Sequence, residues 1–447
     1  MTRGPAFAVL ALVWLATLAA PSGSLRAAPP ERSSTETPPA AAPTAAPTSG
    51  PASAPASAPA SQPSAREREE LARALAQDRQ AAGARAASGS AAATPATQPG
   101  PAARFLQSLN PEIAVIADFA FAAFSTETPL VAGGHDPART GFNLQQVELS
   151  LAASVDPYFR FDGFIVFGTE GVEVEEAYGT TLALPWNLQA RAGQFLTRFG
   201  RINAAHPHAR AFVNQPLVVG KFLGAEGNRG LGAELSVLLP LPWYVELLGS
   251  VTNANGAETA RSFLGGADYA VKGPADLEYT AAMKHFVPLG ADWSLLFGAS
   301  GAFGPNATAR GNRTEVVGAD LYVKYRPITH GSYTVVSLDA EWLLRRRQLP
   351  GRTLVDHGLY TYLLYRFARR WSVAGRYEYV TGNPGDDLDP EWTGLRQRAS
   401  GNLTFWPSEF SRLRLQYDYD RPWWRGSFHA VLLALELVIG AHGAHKF

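Results

Sequence analysis

No cysteine occurs anywhere in the chain, which excludes a disulfide scaffold, a thiol nucleophile and a lipoprotein-type acylation site. The absence also suits a chain that crosses an oxidising periplasm unfolded, where stray thiols risk wrong crosslinks. Charge of one sign is not in excess: 39 basic and 39 acidic side chains balance, so the overall balance points neither to nucleic acid nor to an anionic surface. Long apolar runs are missing too. The run at residues 6–20, behind Arg3, is shorter than the ~20 residues a helix needs to span a bilayer. With the small residues at 17–20 it reads as a secretory signal, assigned to residues 1–28. Every later apolar run is broken within a few positions, so the destination is periplasmic, extracellular or the outer membrane. Ser/His/Asp arrangements and glycine-rich phosphate loops are also absent in usable context. Ser427 and His429 share a strand face without an acid to orient the histidine. The chain therefore reads as a non-enzyme that uses no cofactor.

What is present divides in two. Residues 29–103 are Ala, Pro, Ser and Thr in repeated units, which cannot bury enough apolar surface to offset ordering entropy. They read as a disordered periplasmic linker. One island at 64–85 has helix formers behind a candidate cap, Ser64, but no heptad, and reads as a solvated short helix.

From Glu112 onward apolar and polar residues alternate. Leu413, Leu415, Tyr417 and Tyr419 share one face; Arg412, Arg414, Gln416, Asp418 and Asp420 share the other. Sixteen such segments can be drawn between 112 and 440, mostly of 10–14 residues, which matches tilted membrane-crossing strands rather than globular ones. Their connections alternate between short and long. Six of the seven short ones (155–157, 185–186, 240–242, 288–291, 327–331 and 407–409) contain proline, which cannot donate to a ladder; 368–370 does not. The long ones include 125–141, 198–228, 254–275, 304–313 and 382–393. Aromatic residues beside the short turns, among them Tyr158, Trp186, Trp243, Trp293 and Trp371, suit an interfacial girdle. The fold class is thus all-β: a transmembrane antiparallel barrel of about 16 strands over residues 104–447, with both ends on the periplasmic side.

These residues carry a resemblance. A terminal Phe447 after the alternating strand at 427–440 resembles the assembly signal of outer-membrane proteins, which implies the barrel-assembly machinery as a partner. Sixteen strands with a longest third loop resemble general and phosphate-selective porins. The stretch 110–447 is also similar to porin-like proteins labelled TonB-dependent or zinc-regulated receptors, through 171–177 (GVEVEEA), 192–201 (AGQFLTRFGR), 206–208 (HPH) and 440–447 (GAHGAHKF). The resemblance implies a Gram-negative outer-membrane porin, a passive channel for small hydrophilic solutes, and a homotrimer. A receptor or transporter for a metal or small ligand is the alternative, as is a structural or adhesive barrel. A TonB-dependent transporter needs a folded plug and about twenty-two strands, which this chain has no room for.

Within a porin the third loop would fold inward and narrow the lumen. It carries Arg198, Arg201, His206, His208, Arg210 and Lys221 against a lone Glu226, which gives a weakly anion-preferring constriction. Pore-lining charges would segregate. Glu148, Asp162, Glu173 and Glu175 lie on strands two to four beside Arg160, with Arg191 on strand five. Arg376, Arg396, Arg398, Arg412 and Arg414 lie on strands thirteen to fifteen, across a wetted pore. Glu176 breaks the alternation and predicts a bulge or a strand end. His206, His208, His442 and His445 read as structural rather than metal ligands, because no carboxylate lies near them in sequence. Asp386, Asp387 and Asp389 read as an acidic turn, not a calcium loop.

Overall fold

A strand sends successive side chains to opposite faces, so each alternating segment acquires one apolar and one polar side as it forms. The computed structural model describes residues 111–440, apart from 255, 257, 268, 269 and 328–332. The signal, the linker with its island at 64–85, and the tail with His442, His445 and Phe447 lie outside the described residues. Sixteen strands follow one another: β1 (Glu112–Phe124), β2 (Gly141–Ser154), β3 (Phe159–Gly168), β4 (Gly171–Thr181), β5 (Leu188–Leu196), β6 (Arg229–Leu238), β7 (Tyr244–Asn253) and β8 (Leu277–Leu289) form the first half. The second half is β9 (Trp293–Pro305), β10 (Arg313–Tyr325), β11 (Val335–Leu349), β12 (Arg352–Ala368), β13 (Trp371–Val380), β14 (Arg396–Ser408), β15 (Ser411–Pro422) and β16 (Phe428–Gly440). Every strand pairs antiparallel with its sequence neighbours. β1 also pairs with β16, from Ala114 opposite Gly440 to Phe124 opposite Ala430, so the sheet closes and leaves no edge. Class, strand number and closure are those expected from the sequence.

The connections differ in one respect. The long/short alternation fails at 169–170 and 350–351, which are tight turns on the side where loops were expected. The second case has a clear cause. Arg347 falls beyond the strand expected at 332–346, yet it and Arg345 both point into the barrel and are buried against Asp356, Asp386 and Asp387. With their charges satisfied inside, the ladder continues to Leu349 opposite Arg352.

The two faces are inverted relative to a water-soluble protein. On β15, Leu415, Tyr417 and Tyr419 are exposed while Arg412, Arg414, Gln416 and Asp418 are buried. On β16, Val431, Leu433 and Leu437 are exposed beside buried Glu436. An apolar outside around a charged inside is what hydrocarbon selects. Tyr158, Trp186, Trp243, Trp293 and Trp371, all beside short turns, are exposed as well.

The buried apolar core lies inside the barrel. Its inner half comes from the connection 197–228, which contains the helix α1 (Leu217–Phe222) with all its residues buried. Phe199, Leu217, Val218, Phe222 and Leu223 cluster with Val316, Leu343, Tyr360 and Val380 of β10–β13. Val213 packs on Ala120, Ala122, Ala430 and Leu432 of β1 and β16.

Candidate functional site

The loop enters the lumen through a clamp at its base. The Asn203 amide donates to the Thr197 and Asn228 carbonyls at 2.8 and 3.0 Å, and its oxygen accepts from the Asn228 N–H at 2.8 Å. From this clamp the chain crosses between two walls of opposite charge.

The acidic wall depends on a β-bulge. In the β3–β4 ladder Phe164 stands opposite Glu176 and Ile165 opposite Val174, which leaves Glu175 without an opposite residue. One extra residue puts two successive side chains on one face, and both Glu175 and Glu176 are buried. Glu148 of β2 joins them. His206 meets all three: Nε2 lies 2.9 Å from Glu176, and Nδ1 lies 3.2 Å from Glu175 and 3.3 Å from Glu148. His208 Nδ1 lies 3.3 Å from Glu148. The Phe164 ring covers His206 at 4.5 Å between centroids.

The basic wall holds the loop by its backbone. Arg376 donates to the Asn214 carbonyl (3.0 Å), Arg398 to that of Gln215 (2.6 Å), and Arg414 to that of Phe212 (3.2 Å). Arg412 reaches the carbonyls of His208 and Arg210. In return the N–H groups of Val213 and Leu217 donate to Gln416 (2.8 Å) and Glu378 (2.7 Å). A buried guanidinium is costly unless its donors are satisfied. Here Glu378 and Glu436 supply the counter-charge and the loop supplies further acceptors.

The basic residues expected to narrow the channel are all in the lumen, but they are not free charges. Arg198 pairs with Glu234 (2.8 Å) and Glu246 (2.7 Å), and Arg201 pairs with Asp339 (2.6 Å) while stacking over Tyr322. Lys221 is fully enclosed, 2.9 Å from Asp389 and 3.6 Å from Asp356. Arg210 donates within the loop to Ala205 and Gln215. Among the strand residues, Arg160 pairs with Asp162, Arg191 with Glu234, Glu173 with Arg229, and Arg396 with Asp420. The two rows therefore do not confront each other across water; the loop lies between them. The expected wetted wall at Arg376, Arg398, Arg412 and Arg414 is a covered one, because the loop backbone occupies it. Sequence reasoning missed Asn203, Glu234, Asp339, Glu378 and Glu436, and named Asp389 only as part of an acidic turn. It flagged Glu176 only as a break in the alternation.

No family model matches the sequence. An uncharacterized protein of Aquifex aeolicus is 32% identical over 386 residues, spanning 75% of this chain and 80% of that one. The chain belongs to the family of that Aquifex protein. Among solved structures, OprB of Pseudomonas putida superposes with a TM-score of 0.52 at 11% identity, over 76% of this chain and 96% of that one. The outer-membrane channel DcaP of Acinetobacter baumannii gives 0.48 at 14% identity, over 74% of this chain and 97% of that one. An anion-selective porin from Comamonas acidovorans gives 0.48 at 10% identity, over 74% and 99%. The fold is the sixteen-strand barrel of outer-membrane porins.

At the loop end of this porin-type barrel a cavity of about 210 Å³ remains, lined by Leu217, Lys221, Arg261, Asp389, Trp392 and Arg396 among others. Burial alone would raise the Asp389 carboxyl, but Lys221 and Arg261 beside it hold it down to about 2. His135, in the first loop, goes the other way. Burial opposes its charge, yet the hydrogen bond to Glu226 raises it to about 9. The Asp389 shift has a testable sign. A depressed carboxyl contributes stability in full above its ordinary value near 4, and that contribution is lost as pH falls toward about 2. Trp392, whose ring lies 4.5 Å from the Lys221 ammonium, should become more accessible over that window. The check is acrylamide quenching, as the difference between wild type and Trp392→Phe. A difference flat from pH 5 to pH 2 would show that Asp389 does not hold this corner.

Proposed function

We propose that the protein is an outer-membrane porin: a passive, water-filled channel for small hydrophilic solutes and ions, narrowed by the loop 197–228. One observation carries the reading. A closed sixteen-strand barrel with an apolar outside holds its longest connection across its own lumen, tied to both walls. Barrels of this size leave an aqueous lumen unless something fills it, so the loop sets how much remains. A periplasmic N-terminal segment and a homotrimer belong to the same proposal through the porin resemblance. Single-channel recording in a planar bilayer tests it. Discrete steps are expected, and a barrel that inserts but never conducts would sink the reading.

A weak anion preference is also proposed, on different residues from those the sequence suggested. Arg198 and Arg201 are neutralised by carboxylates. Among the described residues Lys284, Lys324 and Arg366 form no ion pair, and their strands place them on the lumen side toward the short turns. Asp320 of β10 likewise forms no ion pair, so the three cations are in excess of it, and an excess of one sign in a narrow low-dielectric passage concentrates the opposite ion. In a salt gradient the wild type should show an anion-side reversal potential, and Lys284→Glu with Lys324→Glu should move it toward cations. At 1 M salt, where the screening length is ~3 Å, the difference should vanish. A wild type that prefers cations, or a double variant with an unmoved potential at low salt, contradicts the assignment.

A further inference from the structure

We propose that Glu148, Glu175, His206 and His208 form a site for a divalent transition-metal ion, with zinc the ion whose chemistry fits best. The ligand atoms converge. One carboxylate oxygen each from Glu148 and Glu175 and one His206 nitrogen lie within 4.8 Å of one another. His206 Nδ1 stands 3.3 Å from Glu148 Oε2 and 3.2 Å from Glu175 Oε2, and His208 Nδ1 stands 3.3 Å from that same Glu148 oxygen. Ligands on a tetrahedral ion at bond lengths of about 2.0–2.1 Å are separated by about 3.3–3.4 Å. Three of the six edges are seen at that length; His208, close to Glu148 but outside the grouping of the other three, would turn inward to complete the tetrahedron.

Closeness alone would also describe a salt bridge, but the orientations do not. His206 Nδ1, both oxygens of Glu148 and Oε2 of Glu175 are buried and make no hydrogen bond. Glu148 is wholly enclosed and Glu175 is 4% exposed, so bulk solvent does not reach them. Buried carboxylates left in this state are expensive. Directing their lone pairs at a shared dication resolves the cost. A second grouping, His135 with Glu175 and Glu226, lacks this signature: His135 uses one nitrogen on Glu226 and the other on the Gln145 carbonyl, both at 3.1 Å.

The surroundings are those of a metal-bound imidazole. His206 Nε2 lies 2.9 Å from Glu176 and Nδ1 faces the ligand carboxylates, so a proton held on Nε2 by Glu176 would leave Nδ1 open to the ion. Glu176 is itself fixed by the Leu196 N–H at 2.6 Å. A carboxylate behind the far ring nitrogen orients the ring and raises its basicity. The bulge makes this possible: it supplies Glu175 as ligand and Glu176 as its support from consecutive positions. Mixed imidazole and carboxylate donors with no thiolate favour zinc or cobalt(II) over copper(I), and two imidazoles disfavour calcium and magnesium. The ion would join the loop to β2 and β4, with β1 and β16 between β2 and the arginine-bearing β15.

The test uses the full chain without a histidine tag, purified in detergent, stripped with chelator and titrated with zinc or cobalt(II). One ion per chain is expected, with the intense visible bands of tetrahedral cobalt. Glu175→Gln and His206→Asn should each weaken zinc binding at least tenfold. Glu176→Gln, which keeps every ligand, should weaken it by about 10–100-fold. His442→Ala with His445→Ala should leave stoichiometry and spectrum unchanged, which separates the site from adventitious binding at the tail. A wild type that takes up no stoichiometric metal, octahedral or absent cobalt bands, or uptake unaffected by His206→Asn would overturn the site. If Glu175→Gln fails to assemble, the wild-type cobalt spectrum and Glu176→Gln decide it. These readouts do not depend on whether the barrel conducts.

Discussion

Replacing residues 204–227 by a Gly-Ser pair should raise single-channel conductance several-fold while leaving the barrel assembled. The narrowest section dominates the resistance of a channel, and here that section is the loop together with the charges that clasp it. The cut is short to bridge because Asn203 already hydrogen-bonds the Asn228 N–H at 2.8 Å. Removing the loop exposes Glu148, Glu175, Arg376 and Arg398, but to water in a widened lumen, where charged groups are solvated. The strand ladder, closed between β1 and β16, does not depend on the loop. Conductance in planar bilayers and heat-modifiability on gels measure the two halves of this expectation. An assembled variant with wild-type conductance would show that the loop is not the constriction.

A charge placed on the outer face should act in the opposite way, destroying assembly without touching the lumen. Leu415 lies on the outer face of β15, 49% exposed, so Leu415→Arg puts a guanidinium into hydrocarbon at a cost of ~2–4 kcal/mol near the midplane. The neighbouring exchange, Arg414→Leu, is milder but not silent. Arg414 is 3% exposed and holds the Phe212 carbonyl and Glu436, so its loss loosens the loop while Arg412 still neutralises Glu436. Folding yield into bilayers should fall sharply for Leu415→Arg and little for Arg414→Leu, whose conductance should rise. Equal yields would mean that the faces have been assigned the wrong way round.

The barrel was legible in the sequence because membrane strands repeat one rule. Along β15 each residue alternates between lipid and interior, and no distant information is needed to see it. The bulge was half legible: Glu175 and Glu176 violate the alternation, but only the register against Phe164 and Ile165 shows which residue is extra. The loop's inward path could be inferred from its length and its basic residues. Its partners could not. Arg201 finds Asp339 across 138 positions, and His206 finds Glu176 across 30. That no carboxylate lies near His206 in sequence says nothing of its neighbours in a closed sheet, where Glu148, Glu175 and Glu176 come to it from other strands. The free positive charge assigned to Arg198 and Arg201 fails for the same reason, since Glu234, Glu246 and Asp339 are remote along the chain.

Sequence distance also sets an order in time. Asn214 of the loop bonds Asp418, and Val213 bonds Gln416, partners made 204 and 203 residues later. The apolar seat for Val213 needs β16 beside β1. The loop cannot complete its contacts until the last strands have joined the first. Contacts that wait on such long closures form late. A newly closed barrel therefore passes through a stage in which its lumen is wider than in the finished protein, and the segment that narrows it is the last part to settle.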